Sequence, residues 1–320
     1  AEAVVQLATQ AFGKAIKPRI HDERTKVQTR RWYQVFLTAS EHLTHRRNNP
    51  ISAWLRDLGI FGLRAYEKHV PEVIFHQPAS IIAIFLRHLW ATDGCVRPPR
   101  PSHGYPTIYY ASSSKRLALE VQALLLRLGI NAGLKSRSQG NKGRIQYHVT
   151  VMGREDLLGF ARIIGAVGEY KKNALEECVD FFDQRAANTN RDLIPKSVWR
   201  AHIVPALQEH AMSTRAFQRH LGHQFCGNAL YKASPSRDRM ARIASVLPKT
   251  PLLQALAASD LYWDRIVSIT PDGDEKVFDL TVPEFSNFIA NDIVVHNSIE
   301  QDADVVMLLH RQAVMPRGDQ

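Results

Sequence analysis

The stretch "PASIIAIFLRHLWATDGCV", Pro78 to Val96, decides how the rest of the chain is read. Its apolar residues recur three and four positions apart, the spacing of an amphipathic helix. The helix predicted there ends in Asp93-Gly94. Taken alone, Gly94 is a stop that caps the helix, and Asp93 is a solvated polar end. Yet an acid at that position faces the partial negative charge of a helix C-terminus, which is slightly unfavourable. Two such helices side by side would bring two carboxylates together and hold a hard cation through oxygen ligands.

Downstream, "PTIYYAS" reads as a strand, and "SKRLALEVQALLLRLGI" as a helix stopped by Gly129. "AGLKSRS" and "RIQYHVTVMG" alternate like two strands joined by a turn over Gly140–Gly143, and "REDLLGFARIIG" is a second helix. Upstream the same order recurs: helix "AEAVVQLATQAFG", strands "AIKPRIHDER" and "RRWYQVFL", helix "ISAWLRDLGIFG". "AYEKHVPEVIF" (Ala65–Phe75) resembles "EYKKNALEECV" (Glu169–Val179) at constant offset, pairing Tyr66 with Tyr170, Lys68 with Lys172 and Glu72 with Glu176. The reading is an α+β chain of αββαββα repeats. The opening part of the first repeat would fall upstream of Ala1.

The 320 residues carry a net charge of +10, which points to a polyanionic partner. Three scattered cysteines, Cys95, Cys178 and Cys226, fit reduced thiols in a cytoplasmic protein, with neither a disulfide framework nor a zinc site. No apolar run approaches about 18 residues, and no signal peptide opens the chain, so no membrane partner is expected.

The segment "FLRHLWATDGCV", together with the repeated pattern, resembles the LAGLIDADG motif of homing endonucleases in a diverged form. The resemblance implies an endonuclease domain over residues 1–185 with an incomplete first repeat. It implies that Asp93 is catalytic and holds Mg2+ for phosphodiester hydrolysis, and that Lys135 stands near the scissile phosphate. The partner acid does not occur in this chain, so full nuclease activity is not expected of it alone. Strand faces bearing Arg19, Arg30, Arg31, Lys135, Arg137 and Arg144, among Trp32, Tyr33 and Tyr147, suit a groove of double-stranded DNA.

Composition changes after "QRAANTNRD", marking a helical region over 191–260. "STRAFQRHLG" is predicted as a helix capped by Ser213 and stopped by Gly222, followed by a turn and a helix capped by Ser236. This order fits helix-turn-helix DNA recognition as well as an ordinary small bundle, with Arg215, Arg219 and Lys232 as DNA contacts.

The rest becomes strand-rich. "DRIVSITPDGDEKVFDLTV" is predicted as a hairpin turning at Pro271-Asp272-Gly273, before "PEFSNFIANDIVVHNS". "VFDLTV…NFIANDIVVHNS" resembles the C-terminal splicing motifs of an intein, giving a splicing segment over 261–297. The resemblance implies that the Asn297 side-chain amide attacks its own backbone carbonyl. A succinimide closes and the bond to Ser298 breaks. His296 assists proton transfer, Ser298 supplies the hydroxyl nucleophile, and Asp279 coordinates the steps. Ser286 stands where many inteins carry His, and no early splicing block is found near Ala1. "SIEQDADVVMLLHR" resembles the RecA-like ATPase core of DnaB-type replicative helicases, so 298–320 is read as host sequence. There Glu300 and Gln301 would lie near nucleotide phosphates.

The expectation is therefore part of a helicase precursor interrupted by an intein with an embedded endonuclease. Its mature host would be a homo-hexamer using ATP and Mg2+, and splicing itself would need no cofactor. Missing upstream intein and helicase segments would be its partners. The alternative is an inert site-specific DNA-binding insert with decayed splicing.

Overall fold

The computed structural model describes residues 1–23, 32–44, 47–101, 104–183, 185, 192–271, 273–274, 282, 287–296 and 308–310. It is a mixed helix and sheet chain.

The first elements are α1 (Glu2–Phe12), the antiparallel hairpin β1 (Ile16–Glu23) and β2 (Trp32–Ala39), and α2 (Pro50–Asp57). Ala8 and Ile16 are the buried apolar residues here, while Val4, Leu7, Phe36 and Trp54 are exposed. A two-stranded ribbon with one helix either side has too little apolar area to make an independent core.

A short turn of helix, α3 (Glu72–Phe75), comes next. α4 (Ala79–Asp93) leads into β3 (Gly94–Arg97) and β4 (Thr107–Ser112). α5 (Lys115–Arg127), β5 (Ala132–Arg137), β6 (Gln146–Val151), α6 (Arg154–Ile163) and α7 (Glu169–Asp183) follow. The strands form one antiparallel sheet in the order β3-β4-β6-β5. Val96, Ile108, Tyr110, Val149 and Val151 point into a core with Leu86 and Trp90 of α4, Leu124 of α5 and Phe160 of α6. Ser114 caps α5, accepting from Leu117 N at 3.1 Å, and its own hydroxyl donates to Lys68 O at 2.6 Å.

Gly94 corrects one sequence expectation. It is not a left-handed cap: at φ −81°, ψ 143° it is already extended and starts β3 with no intervening loop. Glycine is required for space, since an added Cβ would run into the Trp90 ring and come within 2.6 Å of Trp90 Cα. Gly94→Ala is therefore expected to cost about 3 kcal/mol by overpacking. A thermal melt unchanged from the parent would contradict this.

The helical region builds a separate core from Ile194, Trp199, Ile203, Leu207, Phe217, Leu230, Met240 and Ile243. A π-helical turn (Trp199–Ile203) runs into α8 (Val204–Glu209); α9 (Thr214–His220), α10 (Arg237–Val246) and α11 (Pro251–Ala258) follow. Ser213 and Ser236 cap α9 and α10, accepting from Ala216 N and Arg239 N. Arg237 ties the ends of the region together. Its Nε and Nη2 donate to the two carboxylate oxygens of Asp192 (2.7 and 3.0 Å), and Nη1 and Nη2 donate to the carbonyls of Leu256, Ser259 and Leu261.

The C-terminal strands are β7 (Leu261–Tyr262), β8 (Asn287–Ala290), β9 (Ile293–His296) and β10 (Leu308–His310), ordered β7-β10-β9-β8. Asn291 and Asp292 turn the β8–β9 hairpin with φ of 49° and 65°, the two left-handed residues that a tight two-residue hairpin requires. The hairpin expected over 264–282 is not seen in its first arm, since 264–271 form no strand. Val267 and Ile269 are 83% and 85% exposed, with no paired strand beside them among the described residues. Asp272 and residues 275–281 of its second arm lie outside those residues.

Candidate functional site

Asp93 is the last residue of α4 and is exposed where the helix passes into β3. Helix C-termini leave backbone carbonyls without intrahelical donors. Here one side chain answers them. Lys171 of α7 reaches across with its Nζ donating to Trp90 O (2.6 Å), Ala91 O (3.0 Å) and Gly94 O (2.7 Å). Burial pushes the Lys171 ammonium below its ordinary pKa, while Cys95 and Asp93 pull it back up. An ammonium is thus built in beside the acid that ends α4. The same neighbourhood holds Tyr110, whose hydroxyl burial, and then Asp93, push well above its ordinary value.

Sequence reasoning missed Lys171. It paired the neighbouring Lys172 across the repeat, and Lys171 stands opposite Glu67. A signal existed: two lysines in the first turn of α7 oppose the helix dipole, so a task elsewhere was implied. Lys171→Met should leave three carbonyls without this donor and lower stability by about 2–3 kcal/mol. Lys171→Arg should rescue only part, because the larger planar guanidinium cannot bring one nitrogen within reach of all three carbonyls as an ammonium does. The check is the urea midpoint at unchanged m-value; a shift below about 0.5 kcal/mol would contradict the clamp.

The sheet presents an open face opposite its core. Residues opposite one another in an antiparallel pair share a face. The registers Cys95↔Tyr109, Tyr109↔Thr150, Ala111↔His148 and Lys135↔His148 therefore align Cys95, Tyr109, His148 and Lys135 on one side. Arg97 and Arg137 share it. Tyr109 stacks on His148 with centroids 5.1 Å apart and planes 10° apart, and the Arg97 guanidinium lies 5.9 Å from the Tyr109 ring. Hydrogen bonding to Cys95 and then burial raise the Tyr109 pKa; burial and then Arg137 lower that of His148. His148 Nε2 is buried without a hydrogen-bond partner. The face offers cations and stacked rings, groups that contact phosphates and bases.

The structure brings together some predicted residues and separates others. Lys135 and Arg137 are exposed on this face. Lys135 does not stand beside Asp93, however: β5 lies three strand spacings from β3, about 14 Å. Tyr147 is on the other side, packed against the core with Val149. Arg144 leaves the face too, stacking on Tyr66 at 3.9 Å. Arg19 is exposed on the separate β1–β2 ribbon, where Tyr33 is also exposed. Arg215, Arg219 and Lys232 are exposed in the helical region. His296 ends β9 opposite Asn287. Arg30, Arg31, Asp279, Ser286, Asn297, Ser298, Glu300 and Gln301 lie outside the described residues, as do the side chains of Trp32 and His296.

The described residues do not by themselves make a Mg2+ site. Mg2+ demands near-octahedral oxygen ligation. Asp93 supplies one carboxylate, and the Trp90, Ala91 and Gly94 carbonyls beside it are engaged by Lys171. No group of three or more His, Cys, Asp or Glu suited to a metal occurs among the described residues. The cysteines are free, with burial pushing the Cys178 thiol up to about 12. No helix among the described residues is long and apolar enough to cross a membrane. A cleft of about 1570 Å3, bordered by α5, α6 and the β8–β9 turn, lies apart from Asp93 and Lys171.

Residues 80–165 match the LAGLIDADG-like domain. Over 311 residues, 97% of its length, the chain is 52% identical to the replicative DNA helicase DnaB of Synechocystis sp. and to that of Rhodothermus marinus. It covers 35% and 32% of those two proteins, so it spans about a third of the length of the curated relatives it matches. It is also 26% identical over 255 residues, 79% of the chain, to a DNA gyrase subunit of Mycolicibacterium flavescens, covering 43% of that protein. Residues 80–165 are therefore a LAGLIDADG-like domain of the homing endonuclease type, in a chain homologous over nearly all its length to replicative DNA helicase DnaB, as a fragment of an intein-containing DnaB would be.

Proposed function

We propose that this chain is the C-terminal part of a replicative helicase precursor interrupted by an intein, with a LAGLIDADG endonuclease domain inside the intein. One observation carries the reading. Sequence shared with DnaB proteins covers 97% of the chain, yet its central domain is LAGLIDADG-like, and a gyrase protein shares much of the same sequence. A segment common to differently named host proteins, ending in a hairpin that leads into His296-Asn297-Ser298, is what a self-removing insert requires.

In this reading β9 delivers His296 to the junction. The Asn297 amide nitrogen bonds to its own carbonyl carbon and the peptide bond to Ser298 breaks. The proton passes to the released Ser298 amine, with His296 as the proton-handling neighbour. The mature host is then an ATP-dependent, cytoplasmic, hexameric DNA helicase, with Glu300 and Gln301 near its nucleotide.

The endonuclease domain binds double-stranded DNA through the open sheet face. Asp93 is its one acid for Mg2+. The outer stripe of α4, with Ile81 and Ile84 exposed on the side away from Leu86 and Trp90, receives a second helix bearing the other acid. Supplying the upstream segment to a supercoiled target should therefore restore cleavage that this chain lacks, and Asp93→Asn should remove it. Cutting of both strands by this chain alone, unaffected by Asp93→Asn, would overturn the metal assignment.

A further inference from the structure

The tight helical turn is not where the sequence pattern put it. Between α9 and α10 lies a 3-10 segment, Gly227–Lys232, rather than a short glycine turn. The close connection joins α8 to α9 through His210–Ser213. Ala211 there is left-handed (φ 49°), and Met212 N donates back to Leu207 O at 2.9 Å. Ala206 and Leu207 of α8, Phe217 of α9 with Leu221 just after it, and Met240 and Ile243 of α10 share one core, so the pair is held on a fixed base.

One side chain organises the outside of α9. Gln218 is fully buried. Its amide donates to Gly227 O at 3.2 Å, and its carbonyl accepts from Cys226 N at 2.7 Å. A buried amide spent on the following loop holds that loop beneath the helix. Phe225 is thereby presented at the surface, 4.8 Å from the Arg215 guanidinium. Arg219 follows one turn later on the same exposed side. From Val204 to Lys232 the sequence has a single acid, Glu209. Among the described residues neither Arg215 nor Arg219 has a carboxylate partner.

We propose that α8, the turn and α9 form a helix-turn-helix reading head that places Arg215 and Arg219 on guanine edges in the major groove of duplex DNA. In such heads the N-terminal residues of the second helix meet the bases, and Arg215 lies in the first turn of α9. A guanidinium already oriented by a ring loses less freedom on binding the O6 and N7 of guanine. The inference rests on the duplex-DNA reading above and extends it to a second, separate contact.

The test uses the whole chain and a pool of randomised 40-base-pair duplexes, selected at low salt and sequenced, with affinities read by fluorescence anisotropy. The parent should enrich a site containing a guanine-bearing element. Arg215→Ala and Arg219→Ala should each weaken discrimination at that element by about 10- to 100-fold, leaving the remainder of the site selected. Arg215→Lys should keep non-specific binding and retain only part of the guanine preference. The reading head is overturned if the alanine variants select the same element within twofold in affinity. If the parent binds no duplex at low salt, the duplex-DNA reading falls as well, a distinguishable result.

Discussion

Asn297→Ala is expected to abolish release of the peptide Ser298–Gln320 from this chain. Cyclisation needs an amide one methylene from its own carbonyl, and no other side chain at the junction can close that ring. An unassisted asparagine reacts slowly, so acceleration depends on holding the amide against the carbonyl, where a fixed geometry contributes most. The β8–β9 pair, with Asn287 opposite His296, is the described scaffold for that geometry. Its left-handed Asn291-Asp292 turn fixes the register. His296→Ala should slow release by about one to two orders of magnitude, the scale of general acid–base assistance. In the proposed reading Ser286 takes the place of an assisting His, so the parent itself is expected to cleave slowly. Mass spectrometry of purified protein over time reads all three cases. Release that survives Asn297→Ala would assign the cut to an outside protease and remove the mechanism.

The second large effect is the dependence of DNA binding on salt. Arg97, Lys135 and Arg137 stand exposed on the sheet face, and Arg215, Arg219 and Lys232 on the helical region. If Arg215 and Arg219 face bases and the other four each neutralise one phosphate, log K should fall against log salt with a slope of about −4. Affinity should then drop about a hundredfold between 50 and 200 mM salt. Replacing Lys135 and Arg137 together by alanine should flatten the slope by about 2, whatever duplex is used. A slope near zero, or one indifferent to those replacements, would remove the sheet face from the interface.

Much of this architecture was legible because the local signals agreed with the fold. Ser213, Ser236 and Gly222 bound their helices as read, and the helix-strand order of the second repeat follows the apolar periodicity through α4, α5 and α6. Other features depend on contacts distant in sequence. The clamp on α4 comes from Lys171, 81 residues from Trp90; the paired lysines at the start of α7 hint at a task elsewhere, but no local pattern says which carbonyls they meet. Gly94 looks like a cap in the sequence; its space requirement appears only when α4 runs straight into β3.

Tyr147 is a misreading the sequence could have prevented. In "QYHVTV" it shares parity with Val149 and Val151, so alternation assigns it to the core and His148 to the open face. The segment 264–271 illustrates the opposite limit. Its strand-like alternation is real, but a strand forms against a partner, and none is described beside it.

An insert that removes itself must also join its flanks. The measurement that decides this is the intact mass of the products from the complete precursor, with the sequence upstream of Ala1 in place and expressed in a neutral host. Two species are predicted: a joined helicase that lacks the insert, and a free insert ending in a succinimide or hydrolysed Asn297. Precursor that persists at full mass, unchanged over time and identical to its Asn297→Ala variant, would contradict self-removal.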